Sequence, residues 1–175
     1  MPVLAANGIE LHYERQGEGP PLLLIAGLAS DTASWQPVRE ALAARFQLIL
    51  PDNRCAGRTR PMPCPTGRAL MLAAILALLD RLGLARVHVA GHSMGGMLAL
   101  HLAAEAPERV ASVIAMSTTG RIGSVAGSPF ADLAELYGAP GVAAETWFRL
   151  LFHWLFSPGF FAGRAAVLAA GRAAR

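Results

Sequence analysis

Short apolar runs alternate with helical segments along most of this chain, and that alternation limits its fold more than any other feature. The run Leu22–Ala26 is continuous rather than alternating with polar residues, which is typical of a strand buried on both faces of a parallel sheet. The pattern predicts strands at Leu22–Ala26, Phe46–Leu50, Arg86–Ala90 and Val110–Met116, and helices at Ser34–Arg45, Thr66–Leu82 and Met94–Ala106. The expected fold class is therefore α/β, with a mostly parallel sheet, helices on both faces and sites at the carboxyl ends of the strands.

A hairpin is predicted at the start of the chain. Strand-like residues at Pro2–Ala5 and Ile9–Glu14 flank the dipeptide Asn7-Gly8. Both residues of that dipeptide tolerate a positive φ, as a tight hairpin turn requires.

The composition excludes several classes of protein. Of the 175 residues, 54% are hydrophobic and only 15% are charged, so disorder and coiled coils are excluded. The net charge of +3 comes from arginines scattered in ones and twos, a pattern that does not favour nucleic acid as a partner. The longest uncharged helical stretch, Ala69–Leu79, is far shorter than the roughly 20 residues of a membrane span. The N-terminus shows no charged segment followed by an apolar one, as in a signal peptide. We therefore expect a cytoplasmic protein without stable membrane insertion.

The two cysteines, Cys55 and Cys64, are too few for a disulfide framework, and no histidine lies near them at the spacing of metal ligands. They are predicted to be ordinary thiols, and no metal site is expected.

The sequence Gly-His-Ser-Met-Gly follows the predicted strand Arg86–Ala90 and precedes the helix that begins at Met94. This is the pattern G-x-S-x-G between a strand and a helix, in which a sharp turn lifts a nucleophilic serine clear of the sheet. Side chains at Gly91 or Gly95 would collide across such a turn. Ser93 is the predicted catalytic nucleophile, and the alternative is a glycine-rich turn with a solvated serine.

Acyl transfer at Ser93 also needs hydrogen-bond donors for the oxyanion that forms on the substrate. The backbone N–H of Met94, at the positive end of its helix, is the first predicted donor. The backbone N–H of Leu28 is the second, because Gly27 follows a buried strand and lets the main chain approach. The alternative for this segment is a plain strand-to-helix turn.

Three segments resemble, in this order, landmark segments of the α/β-hydrolase fold: Leu22–Ser30, the loop Pro51–Thr59, and Gly91–Gly96. The resemblance spans residues 3 to about 119. Within this family, the sequence is most similar to small esterases and enol-lactonases of the 3-oxoadipate enol-lactonase type. It implies a serine hydrolase of small-molecule carboxylic esters or lactones, without a cofactor. The chain departs from the family's pattern at Cys55, where the loop usually has glycine, and at Ala26, where histidine is common.

The resemblance also implies a division of the chain. Residues 1–119 would be the N-terminal part of the hydrolase core, 120–161 part of a helical cap, and 162–175 a low-complexity tail. The family's triad runs Ser, then an acid, then His, and the last two follow the cap. The chain ends within the expected cap, so a C-terminally truncated, incomplete hydrolase core is expected. The aromatic segment 147–156 is interpreted as a lid over Ser93, and an interfacial membrane helix is the alternative.

None of the carboxylates and imidazoles after Ser93 matches the family's acid or base. His153 is the only histidine expected to be able to approach Ser93 as its base, although its segment is typical of a cap helix. His101 is expected on a helix face, His88 in the core and His12 in the hairpin, while the side chain of His92 should diverge from that of Ser93. The acids after Ser93 are Glu105, Glu108, Asp132, Glu135 and Glu145.

Two function classes therefore stay open. One is a serine hydrolase that is weak or inactive in this chain because its acid and base are not found. The other is a non-catalytic, truncated or decayed hydrolase, and acyl transfer and cofactor-free peroxidation are further enzymatic alternatives. Self-association is also expected, because the family's later strands cover the strand Val110–Met116, whose edge would otherwise be a template for pairing.

Overall fold

Six strands form one mixed sheet in the computed structural model, which describes residues 3–121 and, beyond them, Gly141, Thr146, Leu150, Leu151, Ser157 and Gly159. The strands are β1 (Val3–Ala6), β2 (Ile9–Gln16), β3 (Pro21–Ile25), β4 (Gln47–Pro51), β5 (Val87–His92) and β6 (Val110–Met116). Their order across the sheet is β1-β2-β4-β3-β5-β6. The last four strands in that order run parallel, whereas β2 is antiparallel to both β1 and β4.

Helices pack on both faces of this sheet: α1 (Gln36–Ala43), α2 (Arg68–Arg81) and α3 (Met94–Glu105). Successive side chains of a strand point to opposite faces, and β3 shows the result. Leu23 and Ile25 pack in one hydrophobic cluster with α2 and α3, while Leu22 and Leu24 pack in a second cluster with α1. The predicted fold class, a mostly parallel α/β sheet with helices on both faces, is confirmed.

Burial on both faces explains why the residues of β3 are continuously apolar. The four residues from Leu22 to Ile25 are at most 5% exposed, since β3 lies between β4 and β5. Full burial of a Leu or Ile side chain contributes roughly 1.5–3 kcal/mol. The central strand therefore anchors the loops that leave its carboxyl end.

The hairpin prediction is confirmed. In the β1–β2 pair, Ala6 lies opposite Ile9, so the turn consists of Asn7 and Gly8 alone. Both have positive φ, 51° and 75°, as expected for a two-residue turn that matches the twist of its strands.

The helix predicted at Ser34–Arg45 has a different start. A 3₁₀ helix covers Thr32–Trp35, and α1 begins only at Gln36. The reason lies in Asp31, whose carboxylate accepts a hydrogen bond from the Ala33 N–H at 2.8 Å and caps the tighter turn. Pro37, in the first turn of α1, is tolerated there because its missing N–H has no intrahelical partner.

The prediction of ordinary thiols is wrong: Cys55 and Cys64 form a disulfide. The loop after β4 turns back on itself and brings the two Cα atoms to 5.7 Å, a separation typical of disulfides. Counting cysteines in the sequence does not detect such a local closure. Disulfides are rare in the cytoplasm, so this pairing lends no support to the expected location.

The chain divides into two units, Met1–Arg121 and Ile122–Arg175, and the sheet lies in the first. The predicted cap and tail, residues 120–161 and 162–175, fall outside the described residues except for Gly120, Arg121 and the single residues named above. Their boundaries stay predictions. Among the described residues, no helix is both long and apolar enough to cross a membrane.

Within the described part of the chain, β6 has one neighbouring strand, β5. Most of its residues are exposed, and Ile114 is 57% exposed. An exposed apolar edge strand offers unpaired N–H and C=O groups to another strand.

We propose that β6 pairs with β6 of a second copy, so the 175-residue chain should associate at tens of micromolar in light scattering without detergent. Ile114→Lys should shift the distribution toward monomer, because a charged side chain on an edge strand opposes pairing. Leu70→Lys, at an apolar residue of α2 that is 38% exposed, is the matched control and should not. A monodisperse monomer of the unmodified chain would contradict the proposal.

Candidate active site

Ser93 lies at the sharp turn between β5 and α3, with φ 53° and ψ −122°. This is a strained conformation for a residue with a Cβ, and it persists only where the surroundings impose it. The Ser93 N–H donates to the Met116 carbonyl at 2.9 Å. Its own carbonyl accepts from the Met97 N–H at 3.1 Å and from the Thr118 hydroxyl at 2.7 Å. The end of β6 and the first turn of α3 thus hold the serine in place from two sides.

Close backbone packing explains the glycines around Ser93. A Cβ at Gly91 would collide with the carbonyl of Gly95. A Cβ at Gly95 would collide with the carbonyl of Ile25, the last residue of β3, and would lie 2.6 Å from the carbonyl oxygen of Ala26. A Cβ at Gly96 would lie 2.6 Å from the Thr118 methyl group. Backbone atoms cannot move aside as a flexible side chain can. The turn is therefore compatible only with glycine at Gly91 and Gly95.

The two predicted oxyanion donors leave the sheet at the same edge. β3 and β5 are paired as far as Ile25 opposite Gly91, so the loop with Leu28 and the turn with Met94 start from adjacent strands. Met94 is the first residue of α3, and the first N–H groups of a helix have no intrahelical partner. Leu28 follows Gly27 and is 46% exposed. Both oxyanion-donor assignments remain predictions, because they rest on where the two residues lie in the chain and on the backbone N–H groups that they carry.

The loop that carries Leu28 is held at its far end by Asp52. This carboxylate is fully buried and accepts hydrogen bonds from the backbone N–H groups of Thr32 and Arg58, each at 2.9 Å. The Arg58 guanidinium lies 3.1 Å from the same carboxylate and also contacts Glu14. Partial burial alone would raise the pKa of Glu14, but hydrogen bonds and charge from Arg58 and Arg39 lower it to about 2. Glu14 is therefore ionised at neutral pH.

The side chain of His92 points into the same loop. Its Nε2 lies 3.3 Å from the Gly27 nitrogen and 3.2 Å from the Ser34 hydroxyl. The ring packs edge-on against Trp35, with 5.3 Å between centroids. Burial lowers the pKa of His92, which favours the neutral imidazole.

The other histidines have roles of their own. His101 lies on α3 near Arg68 and Glu105, on a helix face as expected, and the buried His12 lies on β2 within the hairpin. The prediction of a core position for His88 is wrong: the residue is half-buried, because β5 presents it beside the exposed Ser112, whose hydroxyl lies 2.8 Å away. Glu105 ends α3, the helix that begins beside Ser93, and Glu108 lies just beyond it. His153, Asp132, Glu135 and Glu145 lie outside the described residues.

The sequence model of the α/β-hydrolase fold matches residues 20–168. The chain belongs to the α/β-hydrolase family. This confirms the resemblance inferred from the three sequence segments. Among the described residues of this α/β hydrolase, no three His, Cys, Asp or Glu side chains are grouped so that they could hold a metal ion.

The similarity to curated relatives and to solved structures covers most of this chain. It is 35% identical over 168 residues to the "Putative carbamate hydrolase RutD" of Azorhizobium caulinodans, with 96% of this chain and 63% of the relative covered. A hydrolase from Pseudomonas aeruginosa superposes with a TM-score of 0.84 at 26% identity, over 98% of this chain and 65% of that one. The enol-lactonase from Burkholderia xenovorans superposes with a TM-score of 0.82 at 29% identity, over 99% and 66%. The chain thus spans somewhat less than two thirds of the length of these relatives.

Sequence reasoning missed two side chains that contact the loop of this α/β hydrolase before Leu28. The Asn53 amide donates to the Ala26 carbonyl at 2.9 Å, and His92 was considered only as a candidate base. Nothing in the spacing of these residues indicates the contacts, since they join segments 27 and 65 residues apart. The one available signal was the polar residue Asn53 two residues after a buried strand, where parallel strands place their functional groups.

Gly95→Ala should destabilise the fold by about 1–3 kcal/mol or more, as expected for an extra methyl group forced into closely packed surroundings. Urea unfolding followed by circular dichroism measures the difference. Gly120→Ala is the matched control, because the nearest atom to its added Cβ is the Leu100 Cδ1 at 3.9 Å. Equal stability of both variants would show that α3 does not approach β3 as closely as described.

Proposed function

We propose that this α/β hydrolase uses Ser93 as the nucleophile in the hydrolysis of small-molecule carboxylic esters or lactones. The observation that carries the proposal is the strained backbone of Ser93 between β5 and α3, a conformation that is retained at sites where a side chain must be presented. Relatives described as a carbamate hydrolase and an enol-lactonase support the same chemistry, because both names describe substrates with a carbonyl carbon bonded to a heteroatom.

In the proposed reaction, the Ser93 Oγ attacks the carbonyl carbon and its proton passes to a base. The electron pair of the C=O bond moves to oxygen, and the N–H groups of Met94 and Leu28 stabilise that oxyanion. Collapse of the tetrahedral intermediate expels the alcohol, or opens the lactone ring, and leaves an acyl group on Ser93. The base gives its proton to the leaving oxygen. Water then attacks the acyl carbon and loses a proton to the base, and the acid is released as that proton returns to the Ser93 oxygen.

The base and its orienting acid are not assigned to any described residue. The imidazole of His92 contacts Gly27, Ser34 and Trp35, so its position suits the oxyanion loop better than proton transfer. A chain without a positioned base would still bind its substrate and polarise the carbonyl, because oxyanion donors and binding retain roughly 10³–10⁴ of the acceleration over water without the triad.

A fluorophosphonate should label Ser93, because its oxygen is presented at the turn and the phosphonyl oxygen can take the place of the oxyanion. Mass spectrometry of peptides from the labelled protein locates the modification. Ser93→Ala should abolish labelling, whereas Ser112→Ala on β6, the matched control, should not change it. Labelling of another residue, or no labelling at all, would favour the non-catalytic alternative.

Hydrolysis of a short p-nitrophenyl ester by the 175-residue chain should be very slow. Loss of the base costs on the order of 10⁶ in kcat in a well-studied serine protease, which would reduce an ordinary kcat near 10 s⁻¹ to about 10⁻⁵ s⁻¹. The assay compares the chain with Ser93→Ala and His153→Ala. If the unmodified chain turns over at about 1 s⁻¹ or faster and both variants lose that rate, His153 is the base and the proposal of an incomplete site is wrong.

A further inference from the structure

One peptide group, between Ala26 and Gly27, is hydrogen-bonded on both of its edges. The Asn53 side-chain amide donates to the Ala26 carbonyl at 2.9 Å, and the Gly27 N–H donates to the His92 Nε2 at 3.3 Å. Because a peptide group is planar, with its C=O and N–H on opposite sides, two partners on opposite edges fix the orientation of the whole plane.

Both partners are themselves held in place. Asn53 is only 4% exposed and follows Asp52, whose carboxylate binds the far end of the same loop at Thr32. The His92 ring packs edge-on against Trp35, and the Ser34 hydroxyl, 3.2 Å from Nε2, donates to the Asp31 carbonyl at 2.8 Å. A Cβ on Gly27 would lie 3.0 Å from this ring, so a side chain there would press against the imidazole.

Gly27 is also the reason that this peptide plane needs two partners. Glycine has the widest choice of backbone conformations of any residue, and the next peptide group carries the N–H of Leu28. The bonds to Asn53 and His92 fix the peptide plane from which the Gly27 dihedral angles start, so the direction of the Leu28 N–H then depends on rotation about Gly27 alone.

We propose that His92 and Asn53 are positioning residues: together they fix the Ala26–Gly27 peptide plane and so direct the Leu28 N–H toward the oxyanion of a substrate on Ser93. This inference rests on the proposed function, because it explains how the oxyanion donor of that reaction is oriented. Neither residue touches the reacting atoms in this role.

The contact with His92 depends on its protonation state. Nε2 accepts a hydrogen bond only in the neutral imidazole with its proton on Nδ1. The contacts of the ring are to neutral groups, and the titratable groups of the adjoining segments, Asp31, Asp52 and Arg58, make hydrogen bonds of their own. Because burial lowers the pKa of His92, the contact persists at neutral pH. It is lost as the pH falls through the folded-state pKa, when Nε2 becomes a donor.

The test is the rate of fluorophosphonate labelling of Ser93, resolved into the maximal rate constant and the reagent concentration at half that rate. His92→Phe and Asn53→Leu, which keep approximate shape but remove the acceptor or the donor, should lower the maximal rate constant about 10- to 100-fold, by analogy with loss of an oxyanion donor. The half-saturating concentration should change little, and labelling is measured below the melting temperature of each variant, because an unpaired Ala26 carbonyl or Gly27 N–H lowers stability. His101→Phe, the same substitution on α3, is the matched control and should label at the parental rate.

His92→Gln is the rescue variant, because its side-chain oxygen can accept from Gly27 but cannot titrate. It should label within about threefold of the parental rate at neutral pH and should lack the decline that the parent shows at acid pH. Nuclear magnetic resonance of the Gly27 amide should show faster hydrogen exchange in His92→Phe than in His92→Gln.

Two results are distinguishable from each other. If the parent is not labelled at Ser93, the proposed function fails, and the positioning roles fail with it. If the parent is labelled but His92→Phe and Asn53→Leu react at the same maximal rate, or His92→Gln keeps the acid decline, the positioning proposal alone is overturned.

Discussion

The first turn of α3 lies directly against the carboxyl end of β3, and the candidate site depends on that contact between backbones. No side chain separates the two segments, because Gly95 meets the carbonyls of Ile25 and Ala26 while Gly91 meets that of Gly95. The serine turn and the loop before Leu28 are thereby positioned by main-chain atoms of the buried sheet. Main chain in a close-packed interior has little freedom to move, so the strain at Ser93 is sustained by the core of the fold.

A second support comes from the end of β4. Asp52 is fully buried, and a buried carboxylate is tolerated only with hydrogen-bonded partners, which Thr32 and Arg58 provide. The next residue, Asn53, binds the carbonyl of Ala26. Two consecutive side chains thus hold both ends of one loop, and Arg58 connects them to Glu14 on β2. The loops at this edge of the sheet are joined by polar contacts where the apolar core ends.

Local patterns were sufficient for much of the fold. The dipeptide Asn7-Gly8 predicts its turn because both residues accept positive φ, and the continuous apolar run of β3 predicts a central strand because both of its faces are buried. The position of Ser93 could also be predicted, since glycine spacing and a strand-to-helix transition are properties of neighbouring residues. The start of α1 could not, because it depends on the side-chain cap at Asp31 as well as on periodicity.

What the sequence by itself determined is the order of the elements, the class of the fold and the serine at the turn, because each follows from residues within one or two turns of chain. Only the tertiary structure decided that Cys55 meets Cys64, that His88 is half-exposed beside Ser112, and that Asn53 and His92 bind opposite edges of one peptide group. Those contacts join different segments of the chain. Their partners are chosen by the register and order of the strands, and a hydrogen bond requires a distance and a direction that no spacing along the chain specifies.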